Sequence, residues 1–89
     1  MSQVIVNSHE LRRFARFLLE IEEEIRSRRN STAAKLDELK HVWRDQRFAD
    51  FEREYNAAAH EIDQFLRVAD AYARYLEEKA RRVDTFLQR

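Results

Sequence analysis

The 89-residue chain contains no glycine, no proline and no cysteine. Lacking both strong turn formers, it has little with which to build tight hairpins, which excludes turn-rich β structure. A glycine-rich phosphate loop is excluded outright. Without cysteine there is neither a disulfide framework nor a thiolate metal site. Charge of one sign is not in excess either: 17 Lys and Arg balance 17 Asp and Glu, with three His taken as neutral. A general nucleic-acid or anionic-surface binder carries a basic surplus, so neither is expected as a partner. Long apolar runs are also missing. The longest beyond the opening is Phe17 to Leu19, far below the roughly 20 residues that span a bilayer, so no membrane insertion is expected. The opening MSQVIVNSHELRR turns polar after three apolar residues, too few for the apolar core of a signal peptide. The expectation is a soluble, cytoplasmic chain, and one secreted without a classical signal peptide if it is exported.

What remains is helix-forming sequence, 38% charged and rich in Glu, Arg, Leu and Ala. Asn7-Ser8-His9-Glu10 reads as a capping box, and Val6 with Leu11 as its hydrophobic staple. Apolar residues then fall at Leu11, Phe14, Leu18, Ile21 and Ile25, in steps of three and four. The pattern breaks across the polar waist Arg26 to Thr32 and resumes at Leu36, Leu39 and Trp43 after one four-residue stutter. No turn residue punctuates the waist, so the spacing predicts one continuous helix over about 8–42. A second helix over about 46–87 keeps the alternation through Phe48, Phe51, Tyr55, Ala58, Ile62, Phe65, Ala69, Tyr72 and Leu76. Lys79 interrupts it, and Val83 and Phe86 restore it. A further column runs alongside: Ala59, Leu66, Ala73, Ala80 and Leu87.

The fold class that follows is all-α: a single domain, 1–89, forming an antiparallel two-helix hairpin. The apolar arc of each helix is wider than one neighbour can cover, which is the width found in bundles. Left bare, it would form an apolar strip of the kind monomers avoid. The hairpin is therefore expected to dimerise into a four-helix bundle, with itself or with a paralogous hairpin. The candidate dimer and core face comprises Leu18, Ile25, Ile62, Phe65, Leu66, Ala69, Tyr72, Leu76 and Val83. Arg28, Arg29, Asp63 and Lys79 are the charges expected to set register and partner.

Between the helices lies a corner over 43–47, inside the stretch HVWRDQRFADF. Trp43 ends one apolar register and Phe48 begins the other. Asp45 is placed to cap the second helix, and Trp43, Phe48 and Phe51 to close the end of the hairpin.

In layout, with two amphipathic helices around a central Trp-x-x corner followed by Phe48 and Phe51, the chain resembles the WXG family, the early-secreted-antigen-like hairpins of bacterial type VII secretion. The family tryptophan corresponds to Trp43. Asp45 stands where the family has glycine, and the VIVNSHEL lead-in is also similar. The resemblance implies a non-enzymatic substrate, or substrate partner, recognised by the secretion machinery, including its ATPase. Many members carry a Tyr-x-x-x-Asp/Glu export signal after the second helix. Here Tyr72 is followed four residues on by Leu76, and Tyr75 by Lys79. The alternative is a cytoplasmic helical scaffold or adaptor with no secretory role.

No catalytic, cofactor or metal site is expected. Glu38-x-x-His41 has the spacing of a di-iron carboxylate motif, but it projects away from the side marked by Leu39 and Trp43 and lacks further inward acids. His60 lies opposite Ala58 and Ile62, and His9 sits in a first helical turn. Neither has a nucleophile at a predictable distance. Arg26, Arg28 and Arg29 fall level with Glu61 and Asp63 when counted from the corner, so charge pairing within or across hairpins accounts for them.

Overall fold

A computed structural model describes residues 7–87 as two helices, α1 Ser8–Leu39 and α2 Gln46–Leu87. They pack side by side as an antiparallel hairpin 66 Å long, 25 Å wide and 13 Å thick. Val6, the expected staple residue, lies outside the described residues. Asn7 caps α1, its side-chain oxygen accepting from the N–H groups of His9 at 2.9 Å and Glu10 at 3.2 Å. The Glu10 carboxylate accepts from Arg13. α1 runs unbroken through the polar waist. It ends three residues before the expected limit, because i→i+3 bonds from His41 to Glu38 and from Val42 to Leu39 tighten its last turn.

The two apolar columns of α2 divide the work in the reverse of their hydrophobic weight. The alanine-rich one is buried at Ala59, Leu66, Ala73 and Ala80, where it forms the centre of the contact with α1, and only its last member, Leu87, is exposed. Phe48 and Ala69 are buried beside it, while Tyr55, Leu76 and Val83 are half-buried. On α1 the matching line is Leu11, Ala15, Leu18, Glu22, Ile25, Arg29, Ala33 and Leu36, of which Ala15 and Glu22 are buried and the rest half-buried. Small residues at the centre let two helices approach closely. The seam thus passes through the waist on Arg29 and Ala33 instead of stopping there.

Glu22 is 5% exposed. One carboxylate oxygen accepts from Arg26 at 3.0 Å, and the other has no partner among the described residues. Arg29 crosses to α2 with a two-pronged bond to Asp63, both arms 3.3 Å, and donates to the Tyr55 hydroxyl at 3.3 Å. Its guanidinium carbon also lies 5.8 Å from the centre of the Tyr55 ring. The Asp63 bond, then the Coulombic pull of Asp63 and Tyr55, raises the Arg29 pKa. Further along, Arg12 pairs with Asp84 and Lys40 with Glu52.

Ala73→Leu, in the middle of the seam, should destabilise the hairpin by about 1–3 kcal/mol through overpacking. Ala57→Leu, exposed on the side of α2 away from the seam, should leave it within about 0.5 kcal/mol. Urea unfolding of the two variants checks the assignment of the columns.

Candidate functional site: the closed end and the open face

The hairpin has two features beyond the seam that holds it together, its corner and one of its broad sides. The corner is Lys40 to Asp45. Asp45 caps α2: its carboxylate accepts from the Phe48 N–H at 3.0 Å, and its carbonyl from the Ala49 N–H at 3.3 Å. Trp43 N–H bonds back to the Leu39 carbonyl at 2.9 Å, so the tryptophan closes α1 while the aspartate opens α2. The Phe48 backbone N–H, then the Trp43 indole N–H and the Arg47 backbone, hold the Asp45 carboxyl below the usual carboxylate range. The Trp43 and Phe48 rings pack edge-to-face with centroids 5.2 Å apart. Phe48 is buried and Trp43 half-buried.

No described residue has a positive φ. The corner therefore turns without a left-handed position, and a glycine at 45 is not required by its backbone. Asp45 supplies what this corner uses, an N-cap. Phe51, expected in the lid, is half-exposed and points along the outer column instead. Lys40, His41, Arg44 and Glu52 join the aromatic pair around a shallow cleft of about 490 Å³. Glu38 and His41 are both exposed, and among the described residues no group of three or more His, Asp or Glu could hold a metal ion.

The broad sides of the slab differ. One carries the paired charges, Arg12 with Asp84, Arg26 with Glu22 and Arg74 with Asp70. Asp70, and at longer range Glu22, raise the Arg74 pKa. The Ser8 hydroxyl and Arg12 lower that of Asp84, tying the open end. On the other side the heptad positions flanking the seam are apolar on both helices. α1 shows Phe14, Phe17, Ile21 and Leu39, and α2 shows Phe51, Ile62, Phe65, Val68, Tyr72, Tyr75 and Phe86. A cleft of about 380 Å³ on this side is lined by Ile25 and Arg28 of α1 and by Tyr55 and Ile62 of α2. Ten of the thirteen large apolar side chains left exposed lie here; the exceptions are Leu19, Val42 and Leu87. Phe65 is 49% and Tyr72 60% exposed.

The residues singled out in the sequence therefore fall into three groups. Leu66 and Ala69 are buried in the seam; Leu18, Ile25, Leu76 and Val83 border it; Ile62, Phe65 and Tyr72 stand on the open face. Of the charges, Arg29 and Asp63 pair within the hairpin, whereas Arg28 is exposed on the open face and Lys79 is half-buried there. The Trp43 contact to Asp45 and the buried Glu22 were not anticipated. The first has a signal in the W-x-D spacing. The second has none, since a Glu among charged neighbours looks solvated. No family model, curated protein or solved structure matches the chain.

Trp43→Ala should cost about 2–3 kcal/mol, below the 3–5 of a fully buried aromatic, and is read by chemical denaturation. The pH dependence of the cap follows from the sign of its shift. Asp45 has a folded pKa below its ordinary 3.8, so its contribution is fully present above that value and is lost as pH falls through the lower folded pKa. The melting-temperature gap between the native chain and Asp45→Asn should be constant from pH 7 to about 5 and narrow progressively as pH falls below 3.8.

Proposed function

We propose that this chain is a non-enzymatic pairing module. It acts by covering its open apolar face with a second hairpin, a like copy or a paralogous one, to complete a four-helix bundle. We further propose that it serves type VII secretion as a substrate or a substrate's partner, its closed end and α2 being read by the secretion machinery and its ATPase. The single observation that carries the pairing reading is the one-sidedness of the exposed apolar side chains. Ten large apolar side chains exposed on one side make a surface that monomers avoid. The secretion reading rests on the resemblance in layout and on Trp43 and Asp45 at the bend. No described helix is long and apolar enough to cross a membrane, which fits a module working on other chains. The sequence Tyr72-x-x-x-Leu76, lacking the acidic export residue, favours the second reading, a helical scaffold that stays in the cell.

Light scattering across a dilution series should give twice the 10.8 kDa chain mass. Phe65→Glu should bring it to the single mass with helicity retained, a loss of at least about 2 kcal/mol of association. An unchanged mass would move the contact elsewhere. Co-expression with a type VII apparatus separates the two functional readings: recovery in the medium supports export, and retention in the cells supports the scaffold.

A further inference from the structure

Three apolar columns on α2 admit two different seams. The shared column, Tyr55, Ile62, Ala69, Leu76 and Val83, lies between the alanine-rich one and the outer one. The outer column runs Phe51, Ala58, Phe65, Tyr72, Lys79 and Phe86. Turning α2 about its axis by about 50°, half the angle between successive residues, would exchange one seam for the other. The turned helix would set Phe51, Phe65 and Tyr72 against α1 and release Ala59, Ala73 and Ala80. By apolar area alone that seam is the better one, since three aromatic side chains replace three methyl groups. The hairpin nevertheless keeps Ala73 buried and Tyr72 exposed. Something other than apolar area chooses the phase.

The contact line of α1 carries two charges, and each fits only the observed phase. Arg29 reaches both carboxylate oxygens of Asp63 at 3.3 Å. Asp63 flanks the seam on the paired-charge side, so the turn would carry it away from α1, together with Asp84, the partner of Arg12. Arg47, Glu54, Glu61 and Arg82 would approach instead, but on the opposite flank of α1, where Arg28 and Lys35 lie. Arg29 would then rest against the Phe65 column without its carboxylate. A charge that loses its partner at a packed contact costs more than the pair contributes. Glu22 is one heptad from Arg29, which places it level with Asp70, between Ala69 and Ala73. The turn would set Tyr72 where small side chains now leave room for it. Lys79, half-buried on the outer column, would enter the turned seam as a further charge.

We infer that the Arg29–Asp63 pair sets the rotational phase of α2 and so holds its aromatic columns outward, with Glu22 as a steric guard of the same phase. Arg29 and Asp63 are thus positioning residues for the open face. The inference concerns which face the hairpin presents and holds whatever covers that face.

The cysteine-free chain permits a test with single thiols. Ala73→Cys reports the seam and Ala58→Cys the outer column, each through its rate with a maleimide at dilutions where the chain has its single mass. In the native background the Ala58→Cys thiol should react at least about tenfold faster. Asp63→Arg sets like charges together in the observed phase. It should speed the Ala73→Cys thiol and slow the Ala58→Cys thiol, each by at least about threefold. Glu22→Ala, which clears room for Tyr72, should enlarge both shifts. Exchanging the pair, Arg29→Asp with Asp63→Arg, should return both rates to their starting values. Opposite shifts that the exchange reverses support the inference. A seam that merely loosens exposes the Ala73→Cys thiol without protecting the Ala58→Cys thiol, and that result overturns it. So do rates that Asp63→Arg leaves unmoved, or an exchange that restores neither. If Asp63→Arg loses its helicity, Asp63→Asn takes its place: rates that converge support the phase assignment, and unmoved rates overturn it.

Discussion

A helix with one apolar stripe is satisfied by one neighbour, and a helix with three apolar columns needs two. The packing of both helices depends on that geometric limit. α2 gives its central column to α1, shares the next, and leaves the outermost without a neighbour. The column given to α1 is the one with the smallest side chains. An alanine-lined contact brings the helices close and buries little area per residue, while the aromatic residues, with far more surface to remove from water, stay outside it. The hairpin thus keeps most of its hydrophobic driving force in reserve. Its own seam is partly polar, with Glu22 and Arg29 on the contact line. Arg29 is matched by Asp63 and Tyr55, and Glu22 sits beside the small side chains that leave room for it. Such polar contacts add little stability but define how the helices are aligned.

The corner works on a different principle. Its six residues contain none in the left-handed region, and order comes from side chains. Asp45 holds the first turn of α2, and the Phe48 side chain returns to pack on the Trp43 ring. A glycine at position 45 would relax the backbone but remove the side-chain cap on Phe48 N–H. The aspartate exchanges conformational freedom for fixed direction, which suits a chain with no other device for aligning its helices at the bend.

Much of this was legible in the sequence. The number of helices, their antiparallel course, the Asn7 and Asp45 caps, the continuity of α1 through its polar waist and the level at which Arg29 meets Asp63 all follow from spacing. What spacing leaves open is phase. When three adjacent columns are apolar, the three-four alternation is satisfied by either pair of columns, and the aromatic weight of Phe51, Phe65 and Tyr72 draws the eye to the outer pair. The physical selection runs the other way, because close helix packing favours small residues and Ala59, Ala73 and Ala80 contribute little to any hydrophobic count. Phe51 lies outside the lid for this reason. The end of α1 was misjudged because nothing in Lys40-His41-Val42 disfavours a helix; the turn is imposed by Trp43 and Asp45 downstream.

The topology also decides how the molecule comes apart. Pairs across the seam are joined by loops that lengthen steadily from the corner, from Lys40 with Glu52, through Arg29 with Asp63, to Arg12 with Asp84. Loop-closure entropy makes the corner contacts the easiest to form and those at the open end the most expensive. The hairpin therefore closes like a zip from Trp43. Tension applied at Ser8 and Leu87, the helix ends opposite the corner, meets the seam one pair at a time. A force along the rod would have to shear the whole line at once. The same 66 Å structure is weak when peeled and strong when stretched, with the Trp43–Asp45 corner as the last contact to open.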